Sequence, residues 1–261
     1  ESVIGATVVA VHEPSGTSYG TVTNVDGRFS LQGMRSGGPY KVTVSYIGYQ
    51  MAIYTGIQLQ LGETYSLNVT LHEASELLGE ITITASKSKF SAEKTGATTN
   101  ISSEQLTTLP SINRSISDFT RISPYASGNS FGGRDGRSNT FTVDGANLNN
   151  NFGLSSGLPG GGNPISLDAI DEVQVVIAPY DVRQANFIGA GINAITKSGT
   201  NAYRGSAYMY FNNEVMRGNK IGDTDFGARA EESKTVYGAT FGGPIIKDKL
   251  FFFANVEYEK S

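Results

Sequence analysis

Leu250-Phe251-Phe252-Phe253-Ala254-Asn255-Val256-Glu257-Tyr258-Glu259 is the stretch whose reading decides the fold. In an extended chain Leu250, Phe252, Ala254, Val256 and Tyr258 share one face, and Asn255, Glu257 and Glu259 share the other with Phe251 and Phe253. About ten residues with one apolar and one partly polar face is the pattern of a membrane barrel strand; a soluble antiparallel sheet is the plainer alternative. Upstream, Lys247-Asp248-Lys249 reads as a short turn. Before it, Thr235 to Gly243 and Tyr203 to Phe211 alternate in the same way, joined by the longer link Asn212 to Lys234. Short turns on one side and long loops on the other are the barrel arrangement. Three strands cannot close a barrel, and an open sheet edge has no backbone partners in hydrocarbon. If these are barrel strands, the sequence reads as part of a longer chain.

Further outward, residues 86–201 change character. Ser102-x-x-Gln105 and Ser115-x-x-Asp118 read as capping boxes, each opening a short helix, the first stopping before Pro110. Ile112, Ile116, Phe119 and Ile122 fall at one-face spacing, and Pro124 ends the pattern. Thr140-Phe141-Thr142-Val143, Glu172 to Ile177 and Gly191 to Thr196 are strand-like, so this part is a small α+β unit. Two long polar loops interrupt it, Gly132 to Asn139 and Asn147 to Pro164. Gly132–Arg137 lacks the Gly-Lys-Ser/Thr ending of a nucleotide loop. Arg134 and Arg137 as donors with Asp135 as acceptor suit a ligand-facing loop or a solvated turn cluster. The tip Asn149-Asn150-Asn151-Phe152 offers amides and one stacking ring, which suits sugar or peptide contacts and equally an idle polar loop.

Residues 1–73 are a run of short alternating segments: Thr7–Val11, Gly20–Thr23, Arg28–Leu31, Tyr40–Tyr46 and Thr64–Leu71. Tyr40, Val42, Val44 and Tyr46 share a face, and Asp26-Gly27 suits a hairpin turn, a plainer reading than half of a calcium loop. Strands at this spacing indicate a small β-sandwich. Residues 74–85 read as a linker, and Glu80-Ile81-Thr82-Ile83-Thr84-Ala85 is a short β-prone run.

Composition agrees with a mostly β chain. Of 261 residues 32 are Gly, about 12% against a usual ~7%. There is no Cys, which removes disulfides, thiolate zinc sites and cysteine nucleophiles, and only His12 and His72 could serve a histidine-centred site. A net charge of −4 argues against a nucleic-acid partner. Asp168, Asp171 and Glu172 cluster, but at a helix-to-strand junction such a group is usually a cap rather than a glycosidase pair. No catalytic residue, metal site or cofactor is assigned.

Two resemblances sharpen this reading. Gly5-Ala6-x-Val8, Thr23-Asn24-x-Asp26-Gly27-x-Phe29-x-Leu31 and Tyr40-x-Val42-x-x-Ser45-Tyr46-x-Gly48-Tyr49 resemble the carboxypeptidase-regulatory-like domain, a transthyretin-like sandwich. That family opens with one more strand, whose absence here leaves an edge for another chain or for upstream residues. The second resemblance runs through Ile101-Ser102-x-Glu104-Gln105-Leu106-x-x-Leu109-Pro110, Arg114-Ser115-Ile116-x-Asp118-Phe119 and Gly133-Arg134-x-Gly136-Arg137-Ser138-Asn139-x-Phe141-x-Val143-Asp144-Gly145. It continues through Pro164-Ile165-Ser166-Leu167-Asp168-Ala169-Ile170-x-Glu172-Val173-Gln174-Val175 and Thr196-Lys197-Ser198-Gly199-Thr200-Asn201. These residues are similar to the plug of Oar-like TonB-dependent outer-membrane receptors. Gly242 to Phe253 resembles the first barrel strands of the same group, whose barrels have roughly 22 strands.

The resemblance implies a transthyretin-like sandwich over 1–73, a linker over 74–85, a plug over 86–201 and the first three barrel strands over 202–261. It implies energy-coupled uptake at the outer membrane, with sandwich and plug on the lumen and periplasmic side. Ligand would bind on outward plug loops, here Arg134, Asp135, Arg137 and Asn149–Phe152. The periplasmic protein TonB would pair by strand addition with a segment before the plug, here Glu80–Ala85, which equally suits the first plug strand. Its other partners would be membrane lipids, the rest of its own barrel and, left open, a surface lipoprotein. A surface adhesion or structural β-module is the alternative.

Overall fold

The computed structural model describes residues 2–73, 81–84, 97–111, 114–149, 164–179, 187–227 and 230–260, with the backbone alone for 81–84 and 217. The mostly β architecture expected from the alternation is found, in three main sheets.

The first sheet holds β1 (Thr7–His12), β2 (Thr17–Val22), β3 (Gly37–Ser45), β4 (Ala52–Leu59) and β5 (Ile81–Thr84) in the order β2-β1-β3-β4-β5. Alternating apolar residues drive it: Val8 and Ala10 on β1 and Tyr40, Val42 and Val44 on β3 point inward and are buried. Tyr46 lies past the end of β3, is exposed, and meets the Tyr49 ring at 5.7 Å. Asn24 builds the expected turn, its Oδ1 accepting from the N–H groups of Asp26 (3.0 Å) and Arg28 (2.8 Å), with Gly27 at φ +71°.

Two expected strands are corrected. Arg28–Leu31 and Thr64–Leu71 are extended, and Phe29, Leu31, Leu67, Val69 and Leu71 pack on the core, yet neither segment joins a ladder among the described residues. Alternation reports which face is buried. A ladder needs a neighbouring backbone in register as well, which alternation does not report.

His12 is buried at the end of β1. Its Nδ1 lies 2.7 Å from Ser15 Oγ, and its ring stacks 4.9 Å from that of Tyr40. Burial, then the charge of Arg35, pushes its pKa below 6.5. The unfolded chain therefore binds this proton more readily, so the stabilisation is complete above about pH 6.5 and is lost as pH falls below it. The melting midpoint is expected to drop between about pH 7.5 and 5.5, and His12→Gln to remove most of that slope where His72→Gln does not. Equal slopes in all three proteins would contradict this.

The second sheet begins with β6 (Ala97–Ser102), followed by α1 (Ser103–Thr108) and α2 (Ile116–Thr120). Both capping boxes form: Ser102 with Gln105 and Ser115 with Asp118. Ile116 and Phe119 are buried as the spacing requires, but Ile122 is exposed, because α2 ends at Thr120 and a turn carries Ile122 off the apolar stripe. Ile112 lies outside the described residues. A two-strand ribbon, β7 (Ala126–Ser127) and β8 (Ser130–Phe131), leads to β9 (Thr140–Val143), β10 (Ala146–Asn147), β11 (Ile170–Ala178) and β12 (Gly191–Thr196). The order is β10-β9-β12-β11-β6, with β9 and β12 parallel. Ile101, Ile116, Phe119, Phe141, Leu167, Ile170 and Val173 form its core, each burial contributing about 1.5–3 kcal/mol as an upper estimate.

The third sheet comprises β13 (Arg204–Asn213), then the small hairpin β14 (Lys220–Ile221) and β15 (Thr224–Asp225) in the connecting loop, then β16 (Ser233–Ile246) and β17 (Leu250–Lys260). β13, β16 and β17 are antiparallel neighbours in that order, and no further strand pairs with β13 or β17 among the described residues. The register aligns Met209, Tyr237 and Tyr258 across the sheet, all exposed on the side away from the second sheet. Phe241, Val256 and Leu250 extend that apolar surface. Tyr208, Tyr210 and Glu257 occupy the opposite face.

Candidate functional site

The second and third sheets meet through a small set of polar residues. Ser166 sits at the N-cap of a 3₁₀ turn, Leu167–Ala169, and its Oγ accepts from the Asp168 N–H. The same hydroxyl donates to Glu257 Oε2 on β17 at 2.9 Å, and Tyr208 OH on β13 donates to that oxygen at 2.7 Å. Ser166 is buried, so one carboxylate oxygen gathers two hydroxyls from two different sheets away from bulk water.

Arg114 completes the junction. It precedes the Ser115 cap with φ +52°, a conformation uncommon for a side-chain-bearing residue. Its guanidinium pairs with Asp168 and lies 3.9 Å from the Tyr210 ring centre and 5.1 Å from that of Tyr208. Arg114 and Asp168 are both about three-quarters buried. Beside this junction is a cavity of about 570 Å³, floored by Leu106 and Leu167 and rimmed by Lys197, Lys234, Glu232 and Glu259.

Just past the end of β12 the chain is packed backbone to backbone against β16 and β17. A Cβ on the buried Gly199 would lie 2.4 Å from the Phe252 carbonyl oxygen and 2.7 Å from that of Gly243. Asn201 then reaches the β16–β17 turn, its Nδ2 donating to Asp248 Oδ1 at 2.7 Å and its Oδ1 accepting from the Asp248 N–H at 2.9 Å.

The residues singled out in the sequence fall elsewhere. Arg134, Asp135 and Arg137 are exposed in the loop that enters β9. Arg137 forks onto Asp135, Nε to Oδ1 at 3.0 Å and Nη2 to Oδ2 at 3.3 Å, which holds that carboxyl below the usual carboxylate range. Asn149 lies beside the same strand. Its Oδ1 accepts from the Phe141 N–H at 2.6 Å, and its Nδ2 donates to Thr140 Oγ1 at 3.3 Å. Topology thus brings both loops to the N-terminal ends of β9 and β12. Asp144 and Thr196 mark the other end, from which the chain runs to Asn201 and the β16–β17 turn. Asn150, Asn151 and Phe152 lie outside the described residues, as do Glu80 and Ala85. Ile81–Thr84 pair in parallel with Ala52–Thr55 of β4.

Asp168, Asp171 and Glu172 do not converge on one point. Asp168 holds Arg114, and Glu172 accepts the Leu61 N–H. Burial pushes the Asp171 carboxyl upward, tempered by Arg35 and Lys197. Sequence reasoning did not single out Ser166, Tyr208, Tyr210 or Glu257. Their signal was the alternation itself, which sets Tyr208, Tyr210 and Glu257 on the polar face of their strands.

A model of the outer membrane beta barrel domain matches residues 195–261, and one of the carboxypeptidase regulatory-like domain matches residues 1–72. The TonB-dependent transporter Oar of Myxococcus xanthus is 26% identical over 252 residues, covering 89% of this chain and 23% of that protein. Over most of its length the chain is thus similar to an Oar-like TonB-dependent transporter, with a carboxypeptidase regulatory-like match at one end and an outer membrane beta barrel match at the other. Two solved structures are also similar. The siderophore receptor PirA of Acinetobacter baumannii has a TM-score of 0.47 and 23% identity, covering 62% of this chain and 24% of that one. PirA of Pseudomonas aeruginosa has a TM-score of 0.47 and 19% identity, covering 64% and 28%. The chain thus spans about a quarter of the length of these relatives. The beta barrel match supports an outer-membrane location, and the relatives that the chain resembles are transporters and receptors.

Proposed function

We propose that this chain carries the plug and energy-coupling parts of an outer-membrane uptake receptor. The observation that carries the reading is the Ser166–Tyr208–Glu257 and Arg114–Asp168 junction, which ties the second sheet to the polar face of the wall strands. A plug must block a water-filled lumen and still let go. Polar contacts suit that task, because water can replace them once the plug shifts, whereas a large apolar seam would not reopen.

On this reading the loop of Arg134, Asp135 and Arg137 and the tip Asn149–Phe152 form the outward ligand face. Their position supports it, at the end of the plug sheet away from the β16–β17 turn and the N-terminal sheet. Asn149 braces its tip by holding β9, leaving Asn150, Asn151 and Phe152 for contact. The plug would gate uptake, and Glu80–Ala85 would be the strand to which TonB adds. Membrane lipids and the remainder of the barrel complete the surroundings, and a surface lipoprotein is an optional lid.

Deleting Glu80–Ala85 from the full-length receptor is expected to abolish binding of the purified periplasmic domain of TonB while leaving the receptor folded in the outer membrane. Undiminished binding by the deletion variant would remove the coupling assignment.

A further inference from the structure

One strand of the N-terminal sheet touches both the coupling segment and the plug. β4 pairs with β5 along one edge over Ala52–Thr55, and Ala52, Ile53 and Tyr54 are all buried, so β4 is covered on both faces there. Two residues beyond the end of β4, the chain turns at Gln60–Glu63, and both polar groups of the Leu61 residue are taken by plug side chains. The Leu61 N–H donates to both carboxylate oxygens of Glu172, at 3.1 and 3.2 Å. The Leu61 carbonyl accepts from Asn100 Nδ2 at 3.3 Å and from Gln174 Nε2. Glu172 and Gln174 are 6% and 3% exposed, so this is a desolvated clamp on β11 and not a surface touch. A Cβ on Gly62 would lie 2.7 Å from Gln174 Nε2 and would push that amide off the Leu61 carbonyl. A second anchor joins the Pro14 carbonyl to the Asn201 N–H at 2.8 Å.

We propose that the N-terminal domain is a force relay: TonB adds a strand to the outer edge of β5, β5 stays on β4, and the Leu61 turn pulls on Glu172 and Gln174 of the plug sheet. This rests on the reading of Ile81–Thr84 as the coupling segment. Among the described residues β5 ends the order of its sheet, so strand addition at its second edge need not break the β4 ladder. A segment already held extended spares the partner the ordering cost of a free linker. Pull on β5 then reaches the plug sheet by the β4–Leu61 route, which engages β11, the neighbour of the central strand β12.

The test uses the full-length receptor in lipid nanodiscs and the periplasmic domain of TonB as the probe. Thr55 and Thr84 are register partners, and the native sequence has no cysteine to interfere. Strands about 4.8 Å apart bring Thr55→Cys and Thr84→Cys within disulfide range. The oxidised lock is expected to bind the TonB domain within a factor of about two of the reduced form, because the outer edge of β5 is untouched. Binding lost on oxidation and regained with reductant would mean that β5 must leave β4, and would overturn the relay.

Leu61→Pro tests the clamp alone. The Leu61 φ is negative and that of Gly62 is +65°, the signature of a type II turn, which accepts Pro at its second position. The variant keeps the turn and deletes only the N–H given to Glu172. Pulled through the bound TonB domain, the unaltered receptor is expected to yield in one rupture of N-terminal domain and plug together. Leu61→Pro is expected to release the N-terminal domain first, at a force roughly twofold lower, since the bifurcated, charge-assisted hydrogen bond to Glu172 is gone. Identical traces would overturn the relay. A receptor lacking Ile81–Thr84 that still binds the TonB domain would instead remove the coupling-segment reading.

Discussion

Gly199→Val is expected to leave the receptor largely unassembled in the outer membrane, measured as loss of the compact, heat-modifiable band on gels. The reason is that the neighbours of Gly199 are main-chain atoms: the carbonyl oxygens of Phe252 and Gly243 and the N–H of Phe252, all under 3.0 Å from a Cβ placed there. Side chains can rotate away from an added methyl group, but two paired strands of a wall cannot. Overpacking in ordinary cores costs about 1–3 kcal/mol, and a backbone clash belongs at or above the top of that range. Gly199→Ala should show a smaller loss in the same direction. At Gly205, where the nearest contact for a Cβ is 3.1 Å, alanine should be tolerated far better. Equal assembly of all three variants would mean that the plug exit is not seated on the wall as described.

The parts of this fold that were legible beforehand are those in which a local period coincides with burial. The alternation Leu250–Glu259 gave the wall strand and its two faces, and the paired Ser…Gln and Ser…Asp signals gave both helix starts. Periodicity failed where a partner decides the outcome. Thr64–Leu71 alternates as well as β17 does, yet stays out of any described ladder because alternation carries no information about a neighbour. The clamp at Leu61 was invisible for a related reason. It joins residues 111 positions apart through a main-chain N–H, and nothing in the type of Leu61 advertises it. Asn149 illustrates the opposite limit. Its residue type suggests a contact to something outside the chain, and gives no hint that its oxygen also accepts from the Phe141 N–H, a bond that only the return of the chain along β9 creates.

Arg114→Ala is expected to loosen the plug without unfolding the wall. The substitution removes the partner of a three-quarters-buried Asp168 carboxylate and a cation stacked 3.9 Å above the Tyr210 ring. Breaking a fully buried pair costs about 3–5 kcal/mol; some water reaches this one, so about 2 kcal/mol is the expected loss. Relief of the unusual φ of +52° would not offset it, because alanine at that backbone geometry is no more comfortable than arginine. The measurement is limited proteolysis of the full-length receptor in membranes, in which plug cleavage should quicken while the wall stays resistant. Arg114→Lys separates charge from shape. Lysine keeps the ion pair with Asp168 but has no planar group to lie flat on Tyr208 and Tyr210, so it should recover only part of the protection. Full protection in the lysine variant would reduce the junction to simple charge pairing. Unchanged cleavage of the alanine variant would mean that Ser166, Tyr208 and Glu257 hold the plug by themselves.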